Sequence, residues 1–337
     1  MLSVAQILPT NSPMRLKRAL AESVRILAAG RLVAIPTETV YGLAANAFDA
    51  RAVRRIFKAK GRPAHNPLIV HISSLGMARK CVSKWPKAAT LLARAFWPGP
   101  LTMVLPKSKR IPGIITAGGD TVGLRYPSHP IAQRIIRTCG FPLAAPSANP
   151  SNALSPTTAE HVRLGLGGKI PLIVDGGACR VGIESTVVDL SGPIPRLLRP
   201  GIISLDELTR VLGSPVALGS TPGAAILRSP GMLKKHYSPN AKLFVLKWKT
   251  APQLKKQLRQ LGIACGKTWV LDWRKVPLGG FGSVIHMPKS AAGFSRHLYG
   301  TLFACDQAGA EYIVVQAPPN GENWRGVCDR LTRAQAT

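Results

Sequence analysis

Carboxylates are scarce in this chain: 15 Asp and Glu face 45 Lys and Arg over 337 residues, a formal charge of +30. A field of that sign attracts polyanions such as RNA and nucleotides. A general bias toward arginine explains the excess equally well, because the basic residues are spread over both halves rather than packed into one tail. The six cysteines are widely spaced, with no CxxC pair and no Cys/His cluster at zinc-ligand spacing. That excludes a zinc module and points to a reducing compartment. No apolar run approaches the roughly eighteen residues of a membrane span. The N-terminus also lacks the apolar core and cleavage site of an export signal, so a cytoplasmic protein with no membrane contact is expected. Arg15, Lys17, Arg18 and Arg25 at helical spacing would suit an organelle transit peptide, but a first domain helix is the simpler account.

Common signatures of nucleotide and hydrolase chemistry are missing too. A phosphate loop needs GxxxxGK followed by Ser or Thr, after a strand. The nearest match, GIACGKT at 262–268, is one residue short and follows a helical stretch, so it is read as coincidence. There is no GxGxxG after the first strand, no GxSxG and no HExxH. Any ATP chemistry rests on another scaffold.

What the chain does have is an α/β alternation and 46% apolar residues, enough for packed cores. Helical spacing at Leu16–Leu27 gives way after Gly30 to a strand-like run at Leu32–Ile35. Further helices are expected at 50–59, 88–96, 131–138 and 158–164. Strands are expected at 68–72, 101–105, 121–126, 143–145, 172–174 and 185–190. From about Gly213 to Asn240 the composition turns to Gly, Pro and Ser, as in a linker. Beyond it KLFVLK, TWVLDW, SVIHM and YIVVQ alternate with helical stretches at 253–261 and 291–305, which predicts a small Rossmann-like layer sandwich.

Polar residues at the ends of apolar strands are the candidate site, because burying them is costly without a ligand or partner. PTETVYGLAANA (36–47) puts Thr37, Glu38 and Thr39 directly after a strand, where they could also simply cap local backbone. IFKAKGRPAHNPLIVHI (56–72) gathers Lys58, Lys60 and Arg62 at a helix end that Gly61 and Pro63 terminate. A helix dipole alone rarely needs three cations, whereas a triphosphate does. Arg125, inside the strand-like TVGLRYPSHP (121–130), suits an amino-acid carboxylate, and the scarcity of acids argues against a structural ion pair. In PLAAPSANPSNALSPTTAEHV (142–162), Ser147 and Asn149 end a strand and Ser155 and Thr157 open a helix, where hydroxyls and free amides suit phosphate. DGGACRVGIESTVVDL (175–190), LLRPGIIS with Arg199, and SPGMLKKHYSP with His236 and Tyr237 complete the set; the last reads as a lid.

In this order the motifs resemble the threonylcarbamoyl-AMP synthase family in its long form. The likeness is dense over residues 15–240 and loose beyond, where the alternation and the terminal DRLTRA carry it. It implies a YrdC-like twisted mixed sheet flanked by helices over residues 14–210, a linker or lid over 211–240 and a smaller Rossmann-like α/β domain over 241–337. It implies an L-threonine site of Thr39, His71, Arg125, the Ala145 backbone and Ser185. It also implies an ATP site of Lys60, Arg62, Asn66, Thr121, Ser147, Asn149, Ser155, Arg199 and Tyr237, with Lys60, Arg62, Ser147 and Asn149 as a catalytic quartet. Asn152 stands where the family often has Gly; Asn tolerates left-handed backbone, so the loop should survive. The acid-poor C-terminal domain departs from the family pattern and puts its regulatory role in question.

The chemistry so implied joins threonine and bicarbonate into a carbamate that attacks the α-phosphorus of ATP. No enzymic nucleophile is needed; positioning, cations and Mg²⁺ carry it, without a structural metal. The adenylate would pass to a downstream tRNA threonylcarbamoyl transferase, and the basic surface leaves room for direct tRNA contact. Replacing Lys60 or Arg62 by Ala is expected to cut turnover while sparing the fold. A noncatalytic double-stranded RNA or tRNA binder is the alternative, weakened by few aromatics among the basic residues and no RNP or KH signature. A hydrogenase-maturation carbamoyltransferase, which contains a similar domain, would carry CxxC pairs.

Overall fold

The computed structural model describes residues 5–219, 237–276 and 279–335. Of these, 5–151 and 155–219 form one compact unit; 152–154, 237–276 and 279–335 form the other.

The first unit opens on a strand rather than a helix. β1 (Gln6–Pro9) precedes α1 (Pro13–Ala28), which Ser12 caps by accepting from Arg15 N and Pro13 starts with its preset φ. β2 (Val33–Ile35) turns back into β3 (Gly42–Asn46), then α2 (Ala50–Lys60) runs from an Asp49 cap to Gly61 at φ 62°. β4 (Ile69–His71), α3 (Leu75–Cys81), α4 (Lys87–Phe96), β5 (Leu101–Pro106), β6 (Thr121–Arg125), α5 (Pro130–Cys139) and β7 (Leu143–Ala144) follow. α6 (Ala159–Leu166), β8 (Leu172–Asp175), β9 (Thr186–Asp189), β10 (Arg196–Arg199), α7 (Leu205–Leu212) and β11 (Ala217–Leu218) complete the unit.

Its strands make one 11-stranded mixed sheet in the order β1-β8-β2-β3-β7-β4-β6-β5-β9-β10-β11. β1 and β11 pair with β8 and β10, so the sheet draws strands from both sides of the 14–210 span. Strand alternation sorts side chains onto two faces. Val33 and Ile35 pack with Ile26, Leu27, Ile135 and Ile136 of α1 and α5, whereas Ala34, Leu43, Val70, Met103 and Leu124 join Val53 and Ile56 of α2. Each such fully buried aliphatic contributes about 1.5–3 kcal/mol.

The second unit holds β12 (Lys242–Leu246), α8 (Ala251–Gln260), β13 (Thr268–Asp272), β14 (Ser283–His286), α9 (Ala291–Gln307), β15 (Tyr312–Gln316) and α10 (Arg325–Ala334). Its 4-stranded sheet is parallel throughout, in the order β12-β15-β13-β14, as the Rossmann-like alternation predicts. GIACGKT leads into β13 through a short 3-10 turn at Cys265–Lys267 instead of following a strand, so it is no phosphate loop.

Candidate functional site

The segment between β2 and β3, residues 36–41, is entirely buried, and the separated motifs meet on it. Thr37 Oγ1 lies 3.4 Å from Arg125 Nη2, and Glu38 Oε1 lies 2.8 Å from the same nitrogen. The carbonyls of Glu38 and Thr39 accept from Val181 N and Gly182 N at 2.7 and 3.1 Å. Tyr41 donates its N–H to Pro156 O and its carbonyl accepts from Ala148 N, both at 2.8 Å, while Gly42 bridges to Ser147. Thr37 Oγ1 donates to Val40 O at 2.6 Å and is 3.0 Å from Thr39 Oγ1, which keeps the turn in shape.

Beside this turn the sheet presents a polar row. His71, Arg125 and Thr102 are Cα partners across β4, β6 and β5, so their side chains share one face, opposite Val70, Leu124 and Met103. Thr102 is aligned with Val187, which puts Ser185 two residues earlier on the same face, and Thr102 Oγ1 lies 2.8 Å from Ser185 Oγ. Arg199, at the end of β10, donates from Nη2 to Ser185 Oγ and from Nε to Ser185 O, each at 3.1 Å.

The expectation that Arg125 lacks an acidic neighbour is corrected: Glu38, from a motif 87 residues away in sequence, supplies one, and both side chains are about 95% buried. The contact does not have hydrogen-bond geometry. Both Glu38 oxygens, Arg125 Nε and His71 Nδ1 have no hydrogen-bond partner among the described residues, four of the eight such buried atoms, gathered in one place. Buried polar groups are normally satisfied, which makes this cluster of exceptions the candidate ligand site.

Burial, then the nearby Arg125 charge, pushes the His71 pKa well below the usual histidine value, so the ring stays neutral. His129 and His161 are lowered in the same direction, again chiefly by burial. The unfolded chain therefore binds more protons than the folded one below about pH 6.5. Stability from these histidines is complete above that pH and declines as the pH falls through it, by up to about 1.4 kcal/mol per pH unit for each ring that stays neutral. Urea unfolding at pH 7.5 and 5.5 should show this loss, and His71→Gln should flatten the slope; an unchanged slope would place the effect elsewhere.

Lys60 and Arg62 do not stand free at the helix end. The α2 stripe of Ala52, Val53, Ile56 and Ala59 carries Lys60 inward, where its ammonium donates to Ser147 O at 2.6 Å and to Asn149 O, with Asn149 Oδ1 at 3.3 Å. Those oxygens match the donors of a charged ammonium, while burial and the Arg62 charge pull its pKa well below the usual lysine value. Arg62 donates to Asn66 O at 3.0 Å, Asn66 Oδ1 at 2.6 Å and Pro67 O at 2.8 Å. Only Lys58 of the three cations is exposed. Side chains bound to buried carbonyls hold the loops, so the expectation that their removal spares the fold is corrected.

The remaining candidates separate. The Ala145 amide donates to Ile69 O at 3.0 Å, and Ser155 Oγ donates to the buried Glu184 at 2.5 Å. Thr121 begins the strand that Arg125 ends, about 13 Å away at the rise of a β-strand. Tyr237 belongs to the second unit, buried against Tyr299 and beneath Arg330; His236 lies outside the described residues. Asn152 adopts φ 68°, the left-handed backbone that Gly would otherwise supply. Thr102 and Glu184 were not among the sequence candidates. Thr102 left a faint signal, a hydroxyl in an otherwise apolar LTMVL strand, and Glu184 precedes Ser185 in a run with few acids.

A mixed sheet that collects His71, Arg125, Thr102 and Ser185 under one buried polar turn defines an α/β protein built to hold a small polar substrate. A family model described as telomere recombination (Sua5, YciO and YrdC) matches residues 25–201, and one described as the threonylcarbamoyl-AMP synthase C-terminal domain matches 203–336. The threonylcarbamoyl-AMP synthase of Pyrococcus abyssi is 42% identical over 314 residues, 90% of either chain. That of Bacillus subtilis is 37% identical over 341 residues, 98% of this chain and 95% of its own. The structure of P. abyssi Sua5 complexed with L-threonine matches with a TM-score of 0.88 at 36% identity, over 98% of this chain and 97% of that one. This chain belongs to the threonylcarbamoyl-AMP synthase family.

Proposed function

We propose that the chain converts L-threonine, bicarbonate and ATP into threonylcarbamoyl-AMP and pyrophosphate, which a tRNA threonylcarbamoyl transferase then uses to modify tRNA. The cluster of unpaired buried atoms on Glu38, His71 and Arg125 carries this reading. An amino acid is a zwitterion, and the cluster offers a guanidinium with an unused Nε for its carboxylate and a carboxylate for its ammonium. Neutral His71 and the Thr102–Ser185 hydroxyls add uncharged partners for a side-chain hydroxyl.

Bicarbonate takes up one proton and releases water to give CO₂; the threonine ammonium gives up two protons as its nitrogen bonds to that carbon, so one net proton leaves and a carbamate forms. A carbamate oxygen then bonds to the α-phosphorus as the bond to the β-phosphate oxygen breaks and pyrophosphate leaves. Mg²⁺ would come with ATP as part of the substrate and would offset charge on the phosphates. The protein's part is to position the reactants: Lys60 holds the carbonyls of Ser147 and Asn149, and Arg199 is anchored on Ser185. Residues 220–236 of the expected lid lie outside the described residues.

The test is pyrophosphate release from ATP with threonine and bicarbonate each left out. Release should require both; release indifferent to threonine, or salt-sensitive RNA binding with no turnover, overturns the assignment.

A further inference from the structure

The second unit carries a cavity of about 490 Å³, within the range of small-ligand pockets. It lies at the carboxyl ends of β12, β13 and β15, and its lining includes Lys247, Lys249, Arg274, Trp273 and Gln316. In an open parallel sheet this is where ligands bind, at the point where connections leave in different directions. Here β12 continues through α8 to β13, two places along the sheet, while β15 leads into α10.

The floor is built rather than incidental. Gln316, 98% buried, donates to Trp248 O at 3.0 Å and accepts from Trp273 N and Arg274 N at 3.2 and 3.3 Å, so one side chain ties the ends of β12, β13 and β15. Trp273 Nε1 donates to Ala317 O at 3.2 Å, and the Arg274 guanidinium lies 4.9 Å over the Trp273 ring. The buried indole N–H of Trp248, also in the lining, has no hydrogen-bond partner among the described residues. Gln253, in the first turn of α8, is in the lining and Thr250 makes no side-chain cap, so the helix N-terminus lies beside the cavity to complement negative charge. The lining has three cations and no carboxylate.

The geometry points to a second, noncatalytic nucleotide site in this unit. Its phosphate is held by Lys247, Lys249 and the amino end of α8, and its base lies against the stacked Trp273–Arg274 pair. A mononucleotide fits both parts; inorganic phosphate meets only the first and adenosine only the second.

Photolabelling of the full chain with 8-azido-AMP, followed by peptide mapping, tests the proposal. Label is expected on peptides containing 247–257, 273–274 or 316–320, displaced by AMP at least 10-fold more effectively than by phosphate or adenosine. The exposed substitutions Lys247→Ala and Arg274→Ala together should lower that label at least 10-fold, with labelling of the first unit and synthase turnover unchanged. Label confined to the first unit, second-unit label indifferent to the double substitution, or displacement equally effective by phosphate each overturns it. If the double variant does not fold, Lys249→Gln alone decides by the same readout.

Discussion

Arg125→Ala is expected to reduce threonine-dependent pyrophosphate release by about 10²–10³-fold, the scale of losing one partner of a buried charge pair to a ligand. It should also destabilise the protein by about 3–5 kcal/mol, because it leaves the Glu38 carboxylate buried without its cation. The two effects can be separated. Adding Glu38→Gln removes the stranded charge, so the double variant should regain much of the urea midpoint and none of the turnover. Arg125→Lys should fall between, since an ammonium cannot offer two parallel donors to a carboxylate. Near-normal turnover in Arg125→Ala with saturating threonine would dissolve the amino-acid site as described.

Lys60→Met should lower both stability and turnover, unlike a substitution at a solvent-facing phosphate ligand. The variant keeps the aliphatic stem but removes the donor that Ser147 O and Asn149 O accept from. A buried acceptor left without a donor costs about 1–3 kcal/mol, so a loss of at least about 1 kcal/mol is expected. Turnover should fall at least about 10-fold, as the 147–149 loop loses the anchor that aims it. Thermal unfolding and initial rates on the same preparation decide the matter. A variant with wild-type stability and no activity would restore the view of Lys60 as a direct phosphate ligand.

The sequence disclosed the repeating elements well. α1 was legible because Leu16, Ala19, Leu20, Val24 and Leu27 recur at helical spacing up to Gly30. β15 was legible because a buried parallel strand reads as an apolar run, here YIVVQ. β3 was harder: GLAAN is short and small, and it is fixed by pairing with β2 and β7 rather than by its own preference. β1, α3, β10, α7 and α10 were likewise not predicted, being short or masked by neighbouring motifs.

The site divides along the same line. Arg125 could be read from its place inside an apolar strand-like run, whereas His71 and Ser185 came only with the family resemblance. What each side chain does could not be read. Lys60 looked like a phosphate ligand because nothing local reveals that the Ser147 carbonyl, 87 residues on, meets it. Arg125 looked unpaired because composition averages the whole chain and a single glutamate suffices. Thr102 gained its meaning only from strand register.

Basic residues outnumber acids three to one, so each carboxylate is one of few. The enclosed ones are of another kind: Glu38 against Arg125, Glu184 under Ser155, and Asp272 accepting from Val276 N beside His286. Erasing an acid from a wet surface alters little, whereas erasing one of these abandons a committed donor in a dry place. Mutational drift toward arginine should therefore run freely over the exterior and halt at these positions.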